Sequence, residues 1–287
     1  GIGCHAFSPG SKDFAAGLRF VQEMQILANF PFISANIQDS NGNRLFDPYL
    51  IADVEGISVG IIGLASNFAH SEVFVQDPME ALAELVNEVD NQSDVLILMF
   101  DSQEADIIKL QTSGYPIDLV IRSKSKTRSQ DGGKRDIPAY SCGDRGKYLY
   151  QFDLTILDSG ELVDLAVYEN QISQAEKKLN KMRQGNLMVD LRSLYQDDPQ
   201  TLKKIDAYES QIESAKQALE QGGNTIQLNK HELAKTVTDR PDILRIVDNG
   251  KSKRDQLFGP QPPSGTPPGK NQKHIGHDHD GDGIPDH

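Results

Sequence analysis

Residues 57–65 read "ISVGIIGLA", a run apolar at nearly every position and too short for a membrane helix. A second such run, "SDVLILMF", follows at 93–100. Strands that are hydrophobic without alternation are strands buried on both faces, and these belong to parallel sheets covered on each side. Between the two lies "DPMEALAELVNEVDN" (77–91), which reads as a helix, with Asp77 as its N-cap and Pro78 at the first helical position. The same logic extends outward. An amphipathic segment from Phe14 to Phe30 precedes the short apolar run "PFISANI" (31–37). "ADIIKLQTSG" (105–114) is a short helix closed by Gly114, and "IDLVI" and "IPAYSC" are further strands. "KYLYQFDLTILDSGELVDLAVYE" reads as a hairpin turning at Asp158-Ser159-Gly160. Strand–helix alternation followed by antiparallel strands indicates an α/β layered fold with a mixed sheet.

From Asn170 the pattern changes to helical spacing. Ile172, Ala175, Leu179 and Met182 form one stripe, which Leu187, Leu191 and Leu194 continue. Leu202, Ile205, Tyr208, Ile212, Ala215 and Leu219 form a second. The spacing predicts an antiparallel helical hairpin over 170–222, joined at Asp197-Asp198-Pro199. Either its stripes pack only on each other, or the arm carries a protein partner or a second copy of the chain. "NTIQLNKHEL" (224–233) then reads as a returning strand and 240–257 as a last helix, so that 223–258 form a third part after the α/β domain of 1–169. Residues 259–287 are a Pro/Gly-rich linker and an Asp-rich tail.

The chain has 287 residues, 37% of them hydrophobic, and a formal net charge of −13. That supports a sizeable core and argues against general nucleic-acid binding, since no basic stripe offsets phosphate repulsion. No apolar run reaches the roughly 18 residues of a membrane span. The opening "GIGCHAF" lacks an initiator methionine and reads as entering mid-domain. Cys4 and Cys142 are too few for a four-ligand zinc site; they read as structural cysteines, and a disulfide between them stays open. No G-x-S-x-G elbow, P-loop or dinucleotide fingerprint occurs, and Gly60-Ile61-Ile62-Gly63 is a strand interior rather than a phosphate loop. His70 and His231 stand isolated.

The loop after "IDLVI" carries Arg122, Lys124 and Lys126, at the strand end where α/β proteins keep their chemistry. Together with "GSKDFAAG" (10–17), "FPFISANI" (30–37), "LFDPYLIADVEGISVGIIGLAS" (45–66), "SDVLILMFDSQEAD" (93–106) and "GDRGKYLYQFDLTI" (143–156), this loop resembles the latter part of the catalytic domain of calcineurin-like metallophosphoesterases, in the 5′-nucleotidase branch. The resemblance covers about residues 6–168. It implies an αββα sandwich, here partial, with two metal ions that clamp a phosphate and activate water. It also implies that the strands bearing the first ligands are missing ahead of Gly1. At the positions that match the family's ligand motifs the residue types have changed. Ser11 stands for the bridging Asn, Lys12 for the phosphate-facing His, Asp101 for a ligand His, and Lys124 and Lys126 for two more. A protonated lysine has no lone pair to give a metal. The resemblance therefore implies a decayed site, with no cofactor in the main domain and a role in binding or assembly. Two alternatives remain. Lys12, Arg122, Lys124 and Lys126 hold an anion directly; or the chain is an active metallohydrolase using upstream ligands with Asp13, Asp101 and Asp144.

The hairpin and residues 224–249 also resemble a segment that follows such domains in secreted bacterial proteins, some of which continue into multihaem cytochrome domains; this implies a periplasmic, cell-surface or extracellular setting and a cytochrome as one class of partner. No CxxCH motif occurs in this chain. The tail "HDHDGDGIPDH" places Asp278, Asp280 and Asp282 at alternate positions before Gly283, with Asp286 beyond. It resembles a thrombospondin type 3 calcium repeat, cut short. A disordered acidic tail, or transition-metal binding by His274, His277, His279 and His287, are the other readings.

Overall fold

The computed structural model describes residues 3–123, 137–143, 146–184, 188–234 and 236–259. They fall into two units, Gly1–Leu233 and Ala234–His287.

The first unit begins with a 3-10 turn (Asp13–Ala16) and helix α1 (Leu18–Leu27), separated by Gly17 at φ 88°. The amphipathic segment is therefore broken: Val21 is buried, while Ile26 and Leu27 at its end are exposed. Strands β1 (Ile37–Gln38), β2 (Tyr49–Val54), β3 (Ile57–Ala65) and β4 (Phe74–Val75) follow. The predicted helix over 77–91 is two helices, α2 (Pro78–Ala83) and α3 (Val86–Asp90). Asp77 caps the first as its sequence suggests, accepting from the Met79 and Glu80 N–H groups. The break falls at Leu85, which leaves helical φ and buries its side chain. Then come β5 (Val95–Asp101), α4 (Glu104–Gln111), β6 (Leu119–Ser123) and β7 (Ala139–Tyr140).

These strands form a mixed sheet in the order β2-β3-β5-β6-β7, with β2 antiparallel to β3 and the rest parallel. The parallel register sets Ile62 beside Leu98 and Leu98 beside Val120. These residues, with Leu64, Leu96 and Phe100, make one apolar face that packs on Leu82, Val86 and Val89 of α2–α3 and on Ile107 and Leu110 of α4. Each such fully buried side chain contributes about 1.5–3 kcal/mol.

The segment 31–36 does not form a regular strand. It runs extended between Phe7 and the ends of β2 and β3: Ile33 N–H donates to the Phe7 carbonyl, Ser34 N–H to Asp47 and Ala35 N–H to Gly63. Gly63 is needed for that crossing, because a Cβ there would lie 2.3 Å from the Ile33 carbonyl oxygen.

The opposite face of the sheet meets a second sheet. Strands β8 (Tyr148–Thr155), β9 (Val163–Asp164) and β10 (Thr225–Glu232) lie in the order β8-β10-β9. This corrects the expected hairpin. β8 and β9 do not pair; β10 inserts between them, antiparallel to β8 and parallel to β9. Asn224, just before β10, fixes the arrangement. Its carboxamide oxygen accepts from Leu157 and Asp158 N–H, and its amide donates to the Asp158 and Gly160 carbonyls. The turn at 158–160 thus folds back on Asn224 instead of closing a two-strand ribbon. Leu119 and Tyr140 of the first sheet meet Ile226 and Leu228 of the second, with Tyr150, Phe152 and Leu154 alongside. The result is helices, sheet and sheet in layers, the α/β fold with a mixed sheet that the sequence indicates.

The helical hairpin starts earlier than expected. Asp164 caps helix α5 (Leu165–Met182), so the piece read as the end of a strand is its first turn. Gln184 at φ 52° follows the end of α5. A short α6 (Leu191–Leu194), capped by Asp190, and α7 (Pro199–Glu220), capped by Asp198 with Pro199 in its first turn, complete it. The first stripe is thus not one continuous helix. Leu179, Leu191 and Ile205 are buried together, flanked by Met182, Leu202, Tyr208 and Ile212. The two stripes face each other, which leaves the outer surface to Lys, Glu and Gln. In the second unit, α8 (Pro241–Phe258) has residues 241–254 exposed, including Ile243, Leu244 and Ile246. No helix among the described residues is long and apolar enough to cross a membrane.

Candidate functional site

Strands β3, β5 and β6 end side by side, and the turn Gly10-Ser11-Lys12 lies against their C-terminal ends. Parallel strands expose their last residues at one edge, so Ser66, the pair Asp101-Ser102 and the pair Arg122-Ser123 cluster although they come from three separate stretches of sequence. Ser66 N–H donates to the Asp101 carbonyl at 2.9 Å, locking the end of β5 to the residue after β3.

Asp101 is the centre of the cluster. It is only 8% exposed. Its Oδ2 accepts the Ser11 N–H at 3.0 Å and its Oδ1 the Ser123 hydroxyl at 2.8 Å. Gly10 permits this approach, since a Cβ on it would stand 2.7 Å from the Asp101 carboxyl carbon and Oδ2. Asp13 closes the turn from the other side, its Oδ2 accepting Gly10 N–H at 2.8 Å. Lys12 is exposed on the turn.

Arg122 has a partner already. Its Nε donates to the Ser102 hydroxyl at 3.1 Å and its Nη2 to Glu104 at 2.9 Å, with the side chain 10% exposed. Ser66, buried completely, donates to Asp106 and accepts the Gln103 N–H. Sequence reasoning passes over Ser66, Ser102, Glu104 and Asp106. The one signal that marks them is their place just after apolar strands and in the first turn of α4. Lys124, Lys126, Asp144, Asp278, Asp280, Asp282 and Asp286, and the tail histidines, lie outside the described residues.

The family that the motifs resemble holds two metal ions here. The described side chains do not fit such a pair. Both oxygens of Asp101 are directed at N–H and O–H donors, Ser11 contributes its amide hydrogen, and a guanidinium has no lone pair to give. Among the described residues, no three His, Cys, Asp or Glu side chains are grouped so as to hold an ion.

The isolated histidines have structural partners. His70 Nδ1 accepts the Glu72 N–H at 3.1 Å, which places its proton on Nε2, donated to the Phe14 carbonyl at 3.2 Å. His231 Nε2 pairs with Gln151 on the second sheet. Cys4 and Cys142 are exposed free thiols. At the other edge of the sheet a cleft of about 970 Å³ is lined by Asp90, Asp94, Asp118, Tyr115 and Glu161 among others. Burial pushes the Asp118 carboxyl above its usual range; the Leu96 N–H it accepts opposes this, and Asp90 adds to it.

No family model matches the chain. A stretch of 66 residues is 42% identical to the 5′-nucleotidase of Vibrio cholerae, covering 23% of this chain and 12% of that protein. A stretch of 67 residues is 33% identical to the protein UshA of Escherichia coli, again 23% of this chain and 12% of the relative. The chain thus matches about an eighth of the length of these curated relatives. Among solved structures, the calcineurin-like phosphoesterase YfkN from Bacillus subtilis aligns with a TM-score of 0.45 at 23% identity, over 54% of this chain and 60% of that one. The chain therefore contains a stretch related to bacterial 5′-nucleotidases, the branch of calcineurin-like metallophosphoesterases that its strand-end motifs resemble.

Proposed function

We propose that this chain is a non-catalytic, phosphoesterase-like scaffold for binding or assembly in a periplasmic, cell-surface or extracellular complex. The observation that carries this reading is the state of Asp101. At the strand end where the related enzymes' motif has a metal-binding histidine, this chain has a carboxylate turned onto the Ser11 N–H and the Ser123 hydroxyl. Lys124 and Lys126, ammonium groups at two further ligand positions in sequence, support it.

A binding role draws support from the uneven layers of the fold. On the face that meets the second sheet, Leu50, Val59, Ile61 and Met99 share one side of β2, β3 and β5 and stay half-exposed, outside every core cluster. Among the described residues, strand β8 pairs along one edge only. The partner in this reading is a protein, another copy or a different chain such as a cytochrome. The hairpin offers it a charged surface, and the sequence motif of Asp278, Asp280, Asp282 and Asp286 supports a weak calcium site in this reading.

The test is hydrolysis of 5′-AMP and bis-p-nitrophenyl phosphate by the purified protein with Mn²⁺, Co²⁺ or Zn²⁺. No metal-dependent turnover is expected, and measurable turnover overturns the reading. Sedimentation of a variant lacking 171–222 tests the hairpin: unchanged assembly removes it as the contact. The second reading, a metal-dependent phosphoesterase using ligands missing from this chain together with Asp13, Asp101 and Asp144, draws support from the 42% identity over 66 residues to a 5′-nucleotidase. It calls for about two bound metals per chain by elemental analysis.

A further inference from the structure

Two hydrogen-bond donors from distant parts of the chain converge on one carboxylate. The Ser11 N–H reaches Oδ2 of Asp101 at 3.0 Å, and the Ser123 hydroxyl reaches Oδ1 at 2.8 Å. A donor on each oxygen is how a site recognises a carboxylate as such, because the pair fixes both its position and its plane. The end of β5 is already held by its ladder with β3 and β6 and by the Ser66 N–H on the Asp101 carbonyl. The turn, by contrast, is shaped around the carboxylate. Gly10 lacks the one atom that would collide with it, and Asp13 holds the Gly10 N–H so that the next amide, that of Ser11, is the one directed at Asp101.

We propose that the Gly10–Ser11 turn and Ser123 form a carboxylate-binding cradle, that Asp101 fills it as an internal ligand, and that its native occupancy closes the cradle to carboxylates from outside. The ligand class is a small monocarboxylate, the free counterpart of the group that Asp101 supplies. This rests on the non-catalytic reading, in which the Asp101 carboxylate serves the Ser11 and Ser123 donors rather than a metal ion.

Removing the side chain tests it by chemical rescue. Asp101→Ala leaves a space with the shape of formate and two donors without their carboxylate. Thermal unfolding of the full chain is measured in sodium formate against sodium chloride of equal ionic strength. The variant is expected to unfold at lower temperature than the parent in chloride and to recover in formate, while the parent responds alike to both salts. In Asp101→Ala/Ser123→Ala, the formate concentration at half recovery rises about tenfold or more, the loss of one hydrogen bond to a charged group. If Asp101→Ala is unfolded in chloride, the readout becomes the folded fraction by circular dichroism as formate replaces chloride. Asp101→Asn, which keeps the cradle filled, is expected to give no formate response. A formate effect equal in parent and variant, or none in Asp101→Ala, overturns the proposal. Phosphate in place of formate separates the sources: rescue by phosphate alone also overturns it. Metal-dependent hydrolysis sinks the non-catalytic reading by a separate assay, so the two failures are told apart.

Discussion

Asn36 is completely buried and joins three backbone groups. Its amide donates to the Ala65 carbonyl at 2.6 Å and the Gln76 carbonyl at 2.9 Å, and its oxygen accepts the Ala65 N–H at 3.0 Å. It therefore fastens the segment 31–36 to the end of β3, one residue before Ser66 and the strand-end cluster. Asn36→Ala leaves all three groups inside without that partner. A buried group stripped of its hydrogen bond costs about 1–3 kcal/mol, the carbonyls toward the low end because each has a second lone pair. The sum is about 3–5 kcal/mol. For a unit of this size that lowers the melting temperature by about 6–20 °C. Urea unfolding at neutral pH, followed by far-ultraviolet circular dichroism, measures the loss. A loss below about 1 kcal/mol refutes the reasoning. Asn36→Asp sharpens it, because the shape is kept while an oxygen replaces the donor that faces two carbonyls. Burial and those carbonyls raise the folded pKa of such an aspartate above its unfolded value of about 3.9. The folded state then holds the proton more tightly. The deficit of Asn36→Asp relative to the parent is smallest in acid and grows as pH rises through the raised folded pKa.

Three further outcomes follow from the same geometry. Gly10→Ala drives a Cβ to within 2.7 Å of the Asp101 carboxyl group and is expected to cost about 1–3 kcal/mol by denaturant unfolding; in an Asp101→Ala background the cost falls, and an undiminished cost places the strain elsewhere. Asp118 has a raised folded pKa from burial, so its destabilising contribution is absent below its unfolded pKa and grows as pH rises through the folded one. Urea melts across that window should show Asp118→Asn gaining on the parent as pH rises, and parallel curves refute it. Ile205→Ala, at a site with 0% exposure in the hairpin core, should cost about 2–5 kcal/mol in thermal or urea unfolding; a loss near zero means the two stripes do not share a core.

Parts of the site are legible in the amino-acid sequence. Ser11 and Asp101, 90 positions apart, are both marked by their place in the quoted motifs, Asp101 at a strand end and Ser11 in a turn, and the fold does bring them into contact. What they do to each other is not legible there. That the Ser11 amide and the Ser123 hydroxyl take the two oxygens of Asp101, and that Arg122 donates to Glu104 and Ser102, depends on where three separate chain segments cross.

Several elements are specified by local chemistry alone. The apolar runs of β3 and β5, the Asp77 cap before Pro78, the Pro199 start of α7 and the helical stripes all follow from periodicity and from backbone groups satisfied within a few residues. Pairing and partnership come instead from long-range contacts. β10 enters between β8 and β9 because Asn224 satisfies the 157–160 turn from far along the chain, and no local pattern carries that information. The same holds for the carboxylate of Asp101. A residue's type is written in the chain, but which hydrogen-bond donors reach it is set by the crossing of strands, since buried polar groups must find partners wherever the fold places them.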